Sequence, residues 1–348
     1  MDKKMGVLAL LSAGAMAAGP PDLAQCRAIE AAAARLACYD ALATQAVARA
    51  GEPAVVAEPP PPVQVVAARP DAVTIKPGWL DRSWEMGTAD RSDTFSMHAY
   101  RSNYLLPLFY TTRPNGHPGS PAPDRTVSDG LSLQRTDAKF QISLKTKVID
   151  GLFDGNGDLW LAYTQNSRWQ LYDGQTSRPF RETNYEPEGM LVFRTDYDLL
   201  GWQGRLLSFG FNHQSNGRSL PLSRSWNRLT MGVGLEKGDW TLMLRPWWRA
   251  SEGHSDDNPD ISDYVGRGEL ALVRRFDRQW LSLAVRHSLR GGERSHGSLR
   301  ADWAFPLLPE NGKLRAHLQW FSGYGESLID YNHRGNYLGI GLSLAEGD

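Results

Sequence analysis

Beyond its first twenty residues the chain contains no run of 18 consecutive apolar residues, so no later segment can cross a bilayer as a helix. It also lacks charge of one sign: 38 Lys and Arg against 39 Asp and Glu leave a net charge of −1. That balance gives no electrostatic case for nucleic acid as a partner. No internal repeat with solenoid spacing is present. Cysteine is limited to Cys26 and Cys38. Twelve residues of continuous helix would hold that pair about 18 Å apart, too far for a bridge. A disulfide between them therefore requires a break in the helix.

None of these absences excludes a membrane barrel. The mean hydropathy is −0.43, but barrel strands alternate apolar and polar residues, so their average stays low. The 12 Trp, 12 Tyr and 11 Phe suit aromatic girdles at membrane interfaces, and suit a soluble all-β core equally well. The N-terminus decides more. Lys3 and Lys4 precede an apolar run from Met5 to Met16, followed by Ala17 and Ala18. This is the layout of a secretory signal peptide over residues 1–18. Export would make the disulfide possible.

Residues 19–50 are Ala-rich and read as a small helical periplasmic segment. Residues 51–94 hold PAVVAEPPPPVQ and read as a stiff Pro-rich linker approaching the next domain. From about residue 95 to 348 the texture is period-2 alternation broken by Gly, Asn, Asp and Pro. In KFQISLK (139–145), Phe140, Ile142 and Leu144 share one face, and Gln141, Ser143 and Lys145 the other. About twelve such segments follow one another, the first at 95–106 and the last at 336–344. Tight connections such as 236–238 alternate with long ones at 109–136, 166–188 and 249–266. The expected fold is all-β: a twelve-stranded antiparallel transmembrane β-barrel. A soluble β-sandwich would give similar strands, but export and the apolar phase favour the barrel.

Two neighbouring strands carry the chemistry. In RLLSFGFNHQSNGRS (205–219), Leu207, Phe209, Phe211, His213 and Ser215 alternate onto one face. In SWNRLTMGVGLE (225–236), Asn227 shares its face with Leu229, Met231 and Val233. A hairpin centred near Leu220–Pro221 sets Asn227 opposite His213, with Cβ atoms about 5 Å apart. Ser215, His213 and Asn227 then form a nucleophile, a base and an orienting group on the lipid-facing side. Polar groups are costly there unless paired or used. The bland alternative is an incidental H-x-S pair and an Asn that caps a turn.

The stretches NHQSNGRSLPLSRSWNRL (212–229), TQNSRWQL (164–171), SRPFRETNYEP (177–187), DDNPDI (256–261) and SGYGESLIDYN (322–332) resemble outer-membrane phospholipase A in the family's order. FSMHAYRSNYLLP (95–107) fits its first strand. The resemblance implies a bacterial outer-membrane enzyme that hydrolyses both acyl esters of glycerophospholipids and lysophospholipids. It implies Ca2+ dependence and activation by homodimerisation. By matching position it makes Ser215, His213 and Asn227 catalytic, with the Gly217 amide in the oxyanion hole. It implies calcium held by the Arg218 carbonyl, the Ser223 hydroxyl and a partner-chain hydroxyl matching Ser177, with Asp257 matching an acidic ligand of the monomer. The second acid of that monomer site is replaced by Leu220. Gln165, outward beside Leu159, Leu161 and Tyr163, matches the family's interface glutamine; its other role is a hydrogen bond within its own barrel. Competing readings are a non-catalytic pore or scaffold barrel, its lumen lined by Asn212, Gln214, Arg228 and Thr230, and an esterase for lipid A or another envelope ester.

Overall fold

In the computed structural model, residues 23–50, 78–87, 92–253, 256–308 and 312–345 are described. The signal-peptide segment and most of the Pro-rich stretch lie outside them. Two units divide the chain, 1–73 and 74–348. In the first, α1 (Leu23–Arg27) and α2 (Ala32–Ala50) are separated by four non-helical residues. That break brings Cys26 and Cys38 to a Cα separation of 5.6 Å, and they form a disulfide. The helix interruption required by the spacing is present.

The second unit begins with α3 (Trp79–Ser83) and the short strand β1 (Met97–Ala99). Then come β2 (Tyr104–Thr111), β3 (Thr136–Gly151), α4 (Leu152–Gly155), β4 (Gly157–Trp169), β5 (Phe180–Leu199), β6 (Trp202–Ser215), β7 (Ser225–Lys237) and β8 (Trp240–Ala250). The chain continues through α5 (Ile261–Tyr264), β9 (Gly268–Phe276), β10 (Gln279–His287), β11 (Gly297–Pro306), β12 (Leu314–Gly323) and β13 (Gly335–Leu344). From β2 onward each strand pairs antiparallel with the next, and β13 pairs with β2, so β2–β13 close a twelve-stranded barrel, with β1 paired to β3. Closure removes every sheet edge, which a bilayer cannot satisfy. Strand β5 runs for 20 residues, about twice the 9–11 needed to cross a bilayer. The wall around it therefore rises beyond the membrane.

The alternation segregates the two faces. Phe211 is 50% and Leu229 56% exposed on the outer surface, while Asn212 and Arg228, next along each strand, are buried in the lumen. The lumen is filled by ion pairs. Glu186 accepts two hydrogen bonds from Arg101, each 3.0 Å, and one from Arg228 at 3.1 Å. Arg245 pairs with Glu188. A cavity of about 100 Å³ remains between them. On one rim, loop 324–334 reaches in and is fastened by Glu326 and Asp330.

Three details depart from the sequence reading. Within 51–94, read as linker and approach to the barrel, the described residues 78–87 are packed rather than extended. Leu80, Trp84 and Met86 pack against Trp160, Met190 and Leu206 inside the barrel, and Glu236 accepts the Leu80 amide at 2.8 Å. A five-residue helix has too few turns to show a period. The first strand is not continuous over 95–106. It breaks at residues 100–103, where the Asn103 side chain takes up the Ser143 backbone: it accepts from the Ser143 amide at 2.7 Å and donates to its carbonyl at 3.2 Å. Finally, the connection expected at 166–188 spans only residues 170–179, because β4 and β5 run on. Buried polar residues Arg181, Glu182, Asn184 and Glu186 hide the strand alternation there, since the luminal face is charged.

Candidate active site at the rim of the barrel

The hairpin between β6 and β7 sets the site. Its ladder pairs His213 with Asn227 and Ser215 with Ser225, as the symmetry about residue 220 requires. The connecting loop is braced by Asn216, whose backbone amide donates to the Arg224 carbonyl at 3.0 Å. Its side-chain oxygen accepts from the Arg224 amide at 3.0 Å, and its nitrogen donates to the Leu222 carbonyl at 2.8 Å. Beneath, on the luminal face, the Trp226 indole donates to Gln214 at 2.8 Å. The two strand ends therefore cannot slide against one another.

On the outer face His213 Nδ1 and Asn227 Oδ1 lie 2.8 Å apart. An amide oxygen only accepts, so Nδ1 carries the proton and Nε2 is left as a base. Ser215 is on the same face, two residues further along β6. Among the described residues its hydroxyl makes no hydrogen bond to His213. Catalytic hydrogen bonds are often long without substrate and tighten when it binds. His213, Ser215 and Asn227 are all half-buried, beside the exposed Phe211, Leu229 and Trp248. The imidazole and the hydroxyl thus lie on one face, open to a molecule arriving from the lipid side.

Gly217 follows in a left-handed conformation, φ +60°, which costs a glycine little. Its amide donates to no group among the described residues. Ser223 Oγ donates to Asp257 at 2.6 Å. Arg125, from the loop between β2 and β3, holds the same carboxylate through two nitrogens at 2.8 Å each. Sequence reasoning missed Arg125 because its loop has no period to place it. No group of three or more His, Cys, Asp or Glu suited to a metal occurs among the described residues. A cation here would have to rely on hydroxyls and carbonyls, such as Ser223 Oγ and the carbonyl of exposed Arg218. Ser177 lies apart, exposed in loop 170–179 with φ +62°. That loop is shaped by Asp173, which accepts from the Thr176 hydroxyl at 2.6 Å and from the Gln175 amide at 3.0 Å. These bonds, the Thr176 hydroxyl foremost, hold the Asp173 carboxyl below its ordinary pKa. Gln165, expected to seek a partner molecule, is bonded within its own barrel: it accepts from Tyr163 at 3.2 Å and donates to Ser167 at 3.3 Å.

One further contact had no signal in the sequence. Glu252, in the long loop after β8, accepts from Asn227 Nδ2 at 2.7 Å. Burial pushes its carboxyl pKa up, with Asp256 adding to the rise and Arg249, Asn227 and His213 opposing it.

Comparison with known proteins gives a consistent picture. Residues 80–344 match the family model described as phospholipase A1. The chain is 42% identical over 275 residues to a putative phospholipase A1 of Neisseria meningitidis, covering 77% of this chain and 70% of that protein. It is 36% identical over 255 residues to phospholipase A1 of Escherichia coli, covering 73% and 83%. Among solved structures, the calcium-bound dimer of the outer membrane phospholipase from Salmonella typhi superposes with a TM-score of 0.65. Identity there is 36%, over 74% of this chain and 94% of the other.

Proposed function

The chain belongs to the phospholipase A1 family, and from that premise we propose that it is a calcium-dependent serine hydrolase of membrane phospholipids, active as a homodimer in the bacterial outer membrane. It is an outer-membrane phospholipase, and its substrates extend to both acyl positions and to lysophospholipids. The observation that carries it is the His213 Nδ1–Asn227 Oδ1 hydrogen bond of 2.8 Å on the outer face, with Ser215 beside it.

The reaction follows from these groups. His213 Nε2 takes the Ser215 proton as Oγ attacks the ester carbonyl. The Gly217 amide donates to the oxygen that gains charge. Collapse expels the lysolipid oxygen, which takes the proton from His213, and leaves an acyl-serine. Water activated by the same imidazole then releases the fatty acid. With its oxygen toward the ring, Asn227 accepts from Nδ1 and leaves Nε2 free to act as the base.

The oxygen donors suit calcium, a hard cation: the Arg218 carbonyl, Ser223 Oγ and Ser177 of a partner copy would hold it, with Asp257 behind Ser223. When bound, such a cation adds positive charge near the oxyanion. Pairing of Asp257 with Arg125, and Leu220 in place of an acid, leave the single barrel with a weak site of its own. Gln165 faces outward where a second barrel would pack.

Calcium titration of fatty-acid release from mixed micelles tests the shared site. Ser177→Ala is expected to raise the calcium needed for half-activation at least about tenfold, since an oxygen ligand is lost. Its heat resistance in detergent should be unchanged. Unaltered calcium dependence would refute a shared site. The pore reading has a separate check. With its lumen crossed by ion pairs, the protein should give no stable open channel in a planar bilayer.

A further inference from the structure

The base in this site is oriented by a neutral amide, and an amide can face either way. Turned one way, Asn227 offers its oxygen to His213. Turned the other, it offers its NH2, forces the imidazole proton onto Nε2 and leaves no base for Ser215. Interactions with His213 alone do not choose, because the imidazole can meet either end by changing tautomer.

We propose that Glu252 is the positioning residue that fixes Asn227, so that the site works as a relay of four groups: Glu252, Asn227, His213 and Ser215. The inference rests on the hydrolase reading above and extends it. Glu252 Oε1 lies 2.7 Å from Asn227 Nδ2, while Asn227 Oδ1 lies 2.8 Å from His213 Nδ1. A carboxylate only accepts, so it can be satisfied by the NH2 end alone, and the oxygen is driven toward the imidazole. The geometry comes from the fold. Asn227 pairs with Ala250 at the end of β8, and the chain then turns back so that Glu252, two residues on, meets the Asn227 side chain. The Glu252 side chain is only 12% exposed, and Arg249 approaches its other oxygen at 4.0 Å. The contact is thus partly withdrawn from water, where a charge-assisted hydrogen bond is strong.

The test is a double-mutant cycle on the full-length protein in mixed micelles with saturating calcium, with folding checked by heat-modifiable gel mobility. Glu252→Ala is expected to lower kcat about tenfold to a hundredfold, as loss of a charge-assisted hydrogen bond implies, with KM unchanged. Glu252→Gln, a neutral amide that can present either end, should recover only part of that loss. In an Asn227→Ala background, Glu252→Ala should have no further effect, because nothing is left to orient. Wild-type kcat in Glu252→Ala, the same fold-loss in both backgrounds, or full recovery by the Gln variant would each overturn the proposal. Ser215→Ala run alongside separates the two levels. If it is inactive while Glu252→Ala is fully active, only the role of Glu252 fails. If it is active, the hydrolase site itself fails.

Discussion

Ser215→Ala is expected to reduce fatty-acid release from phospholipid micelles by at least about a thousandfold. Knocking out the nucleophile of an acting triad removes the covalent route entirely and leaves only binding and the oxyanion donor. The fold should not notice. Ser215 sits at the last position of β6, half-buried on the outer face, and its hydroxyl is not part of the luminal ion-pair network. Gel mobility and thermal unfolding in detergent should therefore match the parent protein. His213→Ala should be as inactive, and the double variant no worse than either, since the two act as one unit. Equal release by parent and Ser215→Ala would dismiss this site as the seat of hydrolysis.

The largest effect on stability is expected from Arg168→Ala. The Arg168 side chain is 2% exposed. Its Nε donates to Asp137 at 2.8 Å, and one terminal nitrogen donates to Glu326 at 2.9 Å and to Asp330 at 3.2 Å. Three buried carboxylates converge on one guanidinium, and among the described residues only Lys139 and Arg181 are nearby cations to share them. Removing one partner of a buried pair leaves an uncompensated charge, at a cost of about 3–5 kcal/mol. A drop of that size in urea unfolding free energy in detergent is expected, with loop 324–334 becoming susceptible to protease. Arg168→Lys should lie between, because an ammonium cannot reproduce the forked geometry. An unchanged unfolding midpoint would mean that the cluster does not hold the barrel rim.

The two predictions probe opposite faces of one wall, and the faces differed in how legible they were. The outer face of β6 and β7 could be read directly: Phe209, Phe211, His213 and Ser215 on one strand and Asn227 with Leu229 on the other are separated by two, so one register decides all of them. The structure keeps that register, His213 opposite Asn227. Over 95–106 the same logic placed a strand where the chain breaks, because Asn103 satisfies the Ser143 backbone with its side chain and residues 100–103 need not pair as strand. Alternation cannot distinguish a paired backbone from one paired by proxy.

What the sequence by itself determined is therefore local and periodic: which side chains share a surface, where hairpins fold, and that His213, Ser215 and Asn227 share the outer face. Tertiary structure decided the contacts that join distant loops once β13 meets β2. It brought Leu80 under Trp160, Arg125 onto Asp257 and Glu252 onto Asn227. The physical reason is that a strand imposes its two-residue period on every side chain it carries. A loop has no period, and its position is fixed only by the ring on which both its ends are mounted.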